Sequence, residues 1–334
     1  MGPLKGLKIL EFAGLGPTPF CGMLLSDMGA DVVRIDRPDA IELGLARPIE
    51  MQVTRRGRRS VILDLKSEKG IQSALRLAAT ADGLIEGFRP GVMERLGLGP
   101  DDCMAANARL VYGRMTGWGQ EGPLANAAGH DINYIALTGV LSCIGPAAAP
   151  TPPLNLVGDY GGGAMFLAFG MACGLIEAMR SGQGQVVDAA MVDGVATLAT
   201  GMFADLAGGL WREARGANIV DGGAPFYAAY ETADGKFVSI ASVEARFYRE
   251  LLEKMDLADE PLPDRLDRSG WPTLRDAFAR TFKRKTQAEW IERMHGSDVC
   301  FAPVLAPSEA LQDGHLNARG TFATVAGVAQ PAPA

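Results

Sequence analysis

Two hydrophobic periods alternate along the first 120 residues, and that alternation limits the fold more than any other feature of the chain. LKILEF (7–12), DVVRID (31–36), SVILDL (60–65), GLIEGF (83–88) and RLVYGRMTG (109–117) are short, mostly apolar runs that read as strands. Between them lie stretches of helical spacing: FCGMLLSDMGA (20–30), ended by Gly29, and SEKGIQSALRLAATAD (67–82), with Ser67 as its N-cap. Strands taking turns with helices predict a parallel sheet wrapped by helices. Such a sheet presents ligands beyond the carboxyl ends of its strands.

Residues 131–215 turn mainly helical, with one strand candidate at 184–191. A second style begins near 220, where YAAYETADGKFVSIAS (227–242) holds two β-like runs meeting at Asp234-Gly235, a hairpin signal. Helical stretches follow to about 298. The expected organisation is a large α/β domain over 1–219, a small α+β domain over 220–298, and a return of 299–334 to the large domain.

With 48% hydrophobic side chains, 334 residues can bury more than one core. The net charge of −7 argues against nucleic acid as a main partner, so an anionic ligand has to be met by a local basic patch. Five scattered cysteines without CxxC spacing fit a reducing compartment and predict no metal site. No signal peptide is legible at the N-terminus. The longest apolar segment, 164–179, carries Glu177 between glycines and reads as a buried core helix, not a membrane span. A cytoplasmic location is expected.

A first strand, GLG and a helix resemble a dinucleotide-binding unit, but Gly14 and Gly16 are followed by Pro17, Thr18 and Pro19. Two prolines remove N–H groups that a pyrophosphate would use, and the third glycine of the fingerprint is missing. The basic residues Arg37, RRGRR (55–59), Lys66, Lys69 and Arg89 cluster at predicted strand ends. Each alone reads as a solvated charge; together they fit a ligand with several phosphates.

Only three histidines occur, and His130 stands in GHDINY at the start of an apolar helix. Asp159 stands in GDYGGG before another. An N-cap role explains each locally. Yet Gly161, Gly162 and Gly163 are poor helix formers, and glycines at a helix start let a ligand approach backbone N–H groups. An imidazole and a carboxyl, with ordinary pKa values of about 6.5 and 3.9, can act as acid and base.

GLGPTPFCGMLLSDMGADVVRIDRP, RRGRRSVILDLKSEKG, FRPGVMERLGLGP, GHDINYIALTGVLS, PPLNLVGDYGGG, GQGQVVDAAMVDG and DGGAPFYAAYETADGKF run through nearly the whole chain. With them the sequence resembles the α-methylacyl-CoA racemases of the family III CoA-transferase (CaiB/BaiF) superfamily. The resemblance implies a Rossmann-like large domain, a smaller α+β domain and an interlocked homodimer. It implies an acyl-CoA thioester substrate from fatty acid metabolism, with coenzyme A as part of that substrate and no separate cofactor, metal, nucleic-acid or membrane partner. His130 and Asp159 become the catalytic pair, and Glu244 the carboxylate supporting the histidine. Coenzyme A contacts fall on Arg37, Ile62, Leu63, Asp64, Leu65, Arg89, Gly129, Asp131, Ile132, Asn133 and Tyr134. The backbone N–H of Asp131 and those of Gly161, Gly162 and Gly163 are oxyanion candidates. Thr18 stands where the racemases carry glycine and is expected to alter the pocket wall. The chain stops at PAPA, before the segment that usually crosses back over the large domain.

The implied activity is an isomerase interconverting (2R)- and (2S)-2-methylacyl-CoA by α-proton abstraction and return through an enolate. Met191 and Met202 could line an adaptable acyl site, although core filling explains either one. Two alternatives stay open: a CoA-transferase working through an Asp159 anhydride, and a non-catalytic CoA-binding paralogue. Family transferases generally lack the histidine of GHD, so His130 favours the racemase.

Overall fold

Neighbouring residues on the central strands are buried in pairs: Ile9 with Leu10, Leu84 with Ile85, Val111 with Tyr112. Side chains alternate across a strand, so burial of both members means that both faces of the sheet are covered. The computed structural model describes residues 2–39 and 48–333. Six parallel strands, β1 (Lys8–Phe12), β2 (Asp31–Asp36), β3 (Arg59–Ile62), β4 (Gly83–Glu86), β5 (Val111–Thr116) and β6 (Val186–Ala190), lie in the order β3-β2-β1-β4-β5-β6. This is a doubly wound, Rossmann-like arrangement, as expected. Its strand order reverses between β1 and β4, which pair with each other directly. Ligands of such sheets bind at that reversal, beyond the strand ends.

The helices of this unit are α1 (Pro17–Asp27), α2 (Glu68–Ala78), α3 (Val92–Arg95), α4 (Pro100–Ala106), α5 (Asp131–Leu137), α6 (Phe166–Ser181) and α7 (Met191–Leu198), and the chain leaves it along α8 (Thr200–Ala207). One core joins Ile9, Val32, Ile85 and Val111 to Leu25, Leu167, Met171 and Leu175. The opposite core joins Leu10, Ile35, Leu84 and Tyr112 to Ala74, Ala78 and Leu98. Helix α1 begins at Pro17, earlier than the apolar spacing suggests, because proline fits the first helical turn, where no N–H is needed. Ser67 caps α2 as expected, its hydroxyl accepting from the Gly70 N–H at 3.1 Å.

The segment expected as a buried core helix is longer and only half covered. A π-helix, Leu156–Met165, runs straight into α6, and together they are long and apolar enough to cross a membrane by length and composition. Leu167, Met171, Leu175 and Ala178 are buried, whereas Met165, Phe169, Ile176 and Met179 are each more than half exposed.

A second unit contains an antiparallel sheet of three strands, β7 (Tyr227–Glu231), β8 (Phe237–Ala241) and β9 (Phe301–Val304). The turn between the first two uses Gly235 at φ 76°, as the Asp-Gly signal predicts. Helices α9 (Ala245–Lys254), α10 (Trp271–Phe282) and α11 (Gln287–Met294) complete its core, centred on Phe226, Tyr230, Phe278, Phe282 and Trp290. The chain continues through α12 (Pro307–Ala310), α13 (Gly314–Ala318) and a terminal hairpin of β10 (Phe322–Val325) and β11 (Val328–Pro331).

Here the expected boundaries need correction. The VCFAPVL segment pairs with the open edge of β8, Ser239 opposite Ala302 and Phe237 opposite Val304, so it does not return to the large domain. Contacts group Ser142–Thr151 and Met202–Thr321 in this unit; only Phe322–Ala334 joins Met1–Leu141 and Pro152–Gly201. A strand's partner is chosen by side-chain packing and burial, which local patterns do not report.

Candidate active site

The strand-order reversal places two turns side by side. After β1, Gly16 takes φ 60° as the residue before α1, a left-handed value that a side chain would strain. A Cβ there would lie 3.0 Å from Oδ2 of Asp159, so this carboxyl sits against the turn at the switch point. After β4, Gly87 abuts Thr18, whose Oγ1 would lie 2.3 Å from a Cβ at that position. Thr18 is 1% exposed, so it packs beneath Gly87 and does not form a pocket wall as expected.

Asp159 lies in the π-helix, a rare form that marks functional positions more often than chance would. Burial raises its carboxyl above the ordinary aspartate range. The Asn155 amide, donating to Oδ2 at 3.3 Å, opposes that rise; the Asp131 charge adds to it; the His130 charge opposes it. His130 and Asp159 are therefore electrostatic neighbours. His130 is exposed at the residue before α5, where its N–H donates to Oδ1 of Asn133 at 3.0 Å. Asp131 is the first residue of α5, a position whose N–H lies outside the helical ladder, which suits the oxyanion role expected of it.

The three glycines after Asp159 have a different task from the one expected. They lie in the second half of the π-helix, not at its start, and there N–H groups belong to the helix's own i→i+5 ladder. What their missing side chains allow is close approach to α7. A Cβ on Gly162 would meet Val195 at 2.7 Å, and one on Gly163 would meet Met191 at 2.8 Å. Met191 is itself 6% exposed within the core, so it fills the interior and does not line an acyl site.

The basic loop RRGRR also differs from expectation. Arg55 pairs with Asp36 at 3.1 Å, Arg56 with Asp27 at 2.6 Å, Arg58 with Glu11, and Arg59 with Asp31 at 2.6 Å. Each guanidinium is engaged within the chain. Arg37 and Arg89, by contrast, are exposed just beyond β2 and β4, with no ion pair among the described residues. Arg37 lies over the Phe88 ring, 5.3 Å from its centroid. Phe88 is held by Glu86, whose Oε2 accepts its N–H at 2.7 Å.

Ile62 ends β3 and is exposed, Asp64 follows it exposed, and Leu63 and Leu65 pack against the core below. Arg37, Ile62–Leu65 and Arg89 thus share the carboxyl edge of β3, β2 and β4. Ile132 and Asn133 are exposed and Gly129 is half-buried. The Tyr134 ring belongs to the interior, 5% exposed and edge-on to Trp118 at 4.7 Å. Glu244 is exposed beside α9 in the second unit. Sequence reasoning missed Gly16 and Asn155 as neighbours of Asp159. Asn155 carried a legible signal, since it stands four residues before the aspartate.

The family model for CoA-transferase family III matches residues 4–334. The chain is 46% identical to alpha-methylacyl-CoA racemase of Mus musculus over 323 residues, which is 96% of this chain and 82% of the relative. It is 43% identical to the Homo sapiens protein of the same name, again over 96% of this chain and 82% of the relative. Among solved structures, a CaiB/BaiF family protein from Brucella suis superposes with a TM-score of 0.84 at 24% identity, covering 99% of this chain and 91% of that one. At that identity the likeness speaks for the fold alone.

Proposed function

The chain belongs to CoA-transferase family III, and from that premise we propose that it acts as an α-methylacyl-CoA racemase with His130 and Asp159 as its two proton-transfer groups. One observation carries the assignment: the imidazole of a GHD motif and a carboxyl of raised proton affinity are electrostatic neighbours at the reversal of the sheet.

The α-hydrogen of a 2-methylacyl thioester is weakly acidic, so its removal needs a base and a partner for the enolate oxygen. One residue takes the proton from one face, and the C–H electron pair moves into the enolate. The other residue returns a proton to the opposite face. A carboxyl held above its usual pKa keeps a proton available for that return. The Asp131 N–H, at the first position of α5, is assigned as donor to the enolate oxygen. No electron is gained or lost overall, so the reaction calls for no redox cofactor, and coenzyme A enters and leaves as part of the substrate. Arg37 and Arg89 supply the cations for its phosphates, and Ile62–Leu65 the wall beside them. A second copy of the chain is assigned to the exposed apolar face of α6.

The test is incubation with 2-methylacyl-CoA in deuterated water. Deuterium should enter the α-position from either epimer, with both epimers appearing. A wild-type protein that never labels that position does not fit the racemase. Hydroxylamine added with a carboxylic acid acceptor separates the alternative, because an acyl–Asp159 anhydride is trapped as a hydroxamate and an enolate is not.

A further inference from the structure

We propose that the side chain of Asp131 is a positioning residue for proton transfer: one hydrogen bond from it ties the helix start that carries His130 to the helix that carries Asp159. The inference rests on the racemase reading above and assigns the carboxylate a task separate from that of the backbone N–H.

Oδ2 of Asp131 accepts the backbone N–H of Asp159 at 2.7 Å, across 28 residues of sequence. The first-turn N–H groups of a helix have no partner in their own ladder and are usually capped by a nearby side chain. No side-chain cap comes from Asn155, the residue before this π-helix, so a carboxylate from α5 takes up one of those N–H groups. Asp131 follows His130 directly, so both proton-transfer residues stand within one residue of the same bond. Gly158 makes the approach possible: a Cβ there would sit 2.6 Å from Oδ2 of Asp131.

The second oxygen has a separate consequence. Asp131 is 7% exposed, and its Oδ1 is buried with no hydrogen-bond partner among the described residues. No cation pairs with this carboxylate among the described ion pairs. Its charge therefore acts on the Asp159 carboxyl and adds to the effect of burial in favouring the protonated form. The other groups acting on Asp159 are the His130 charge and the Asn155 amide, both opposing; α1, α6 and α7, which pack against the same helix, add no charge to that set. Asp131 thus fixes the distance between the two groups and helps set the proton occupancy of one.

The test compares Asp131→Ala with Asp131→Asn, the second keeping an oxygen that can accept the Asp159 N–H. Misplacement of a reacting group costs on the order of 100-fold. Asp131→Ala should lose about that in kcat, with KM and CoA affinity within about twofold of wild type. Asp131→Asn should lose less, about tenfold, and should fold even where the alanine variant does not. The Asp159 carboxyl, followed by carbon-13 NMR against pH, should titrate at lower pH in Asp131→Asn than in wild type. Wild-type kcat together with an unmoved Asp159 titration would overturn the proposal. So would loss of kcat in step with CoA affinity and melting temperature, which marks a purely structural residue. If the wild type does not racemise, the activity reading falls, while the NMR titration still decides the role of Asp131.

Discussion

Two of the carboxylates buried in the large unit are treated by the fold in opposite ways. Glu11, on β1, is 0% exposed and is met by Arg34 at 3.1 Å and by Arg58 on its other oxygen. Asp131, on α5, meets a backbone N–H and no cation among the described ion pairs. The first arrangement is compensated, and its charges hold β1, β2 and the RRGRR loop together. The second leaves negative charge beside Asp159, where it favours the protonated carboxyl. Burial alone does not distinguish the two carboxylates; the presence or absence of a compensating cation does.

The largest effects should separate the two sites completely. Asp159→Asn should lower racemisation by roughly 1,000-fold, the scale of a lost acid–base group, with the melting temperature held or raised because an uncompensated carboxyl is gone. Glu11→Ala should do the reverse, lowering stability by about 3–5 kcal/mol in urea because Arg58 is left buried without an ion-pair partner and Arg34 keeps only Asp36. A Glu11 variant that unfolds at the wild-type midpoint would break the comparison.

Glu86 is the intermediate case, 1% exposed with Arg114 Nε at 3.3 Å and the Phe88 N–H at 2.7 Å. Burial dominates there and pushes its carboxyl up from 4.5 to about 7. A raised folded-state pKa means that the native chain binds the proton more tightly than the unfolded one. Its stabilising contribution is complete below about pH 4.5 and is lost as pH rises through about 7. Glu86→Gln should remove that decline, worth up to roughly 3 kcal/mol at ~1.4 kcal/mol per pH unit. Urea midpoints at pH 5 and pH 8 check it, and equal pH slopes in both proteins would contradict it.

The smallest effect sharpens the division among arginines. Arg37→Ala and Arg89→Ala should each weaken coenzyme A about tenfold and flatten its salt dependence, since neither is in an ion pair among the described residues. Arg59→Ala, in an exposed pair with Asp31, should change affinity by less than about 0.5 kcal/mol. Titration calorimetry at two ionic strengths distinguishes them.

The sheet was legible because its signals are local. Apolar runs of strand length, Ser67 at a helix start and Asp234-Gly235 between two runs each report their own backbone, and all were met in the structure. The GHD and GDYGGG motifs drew attention to His130 and Asp159 for the same reason, since each stands near the start of an apolar helix. Tertiary structure decided what those residues touch. It turned three glycines from oxyanion donors into a packing surface for α7, closed four arginines onto acids, and sent β9 to the edge of β8. It also brought the Asp131 carboxylate to the Asp159 amide across 28 residues. A carboxylate's partner depends on which chain segments meet after folding, and no local pattern along the chain records that distance.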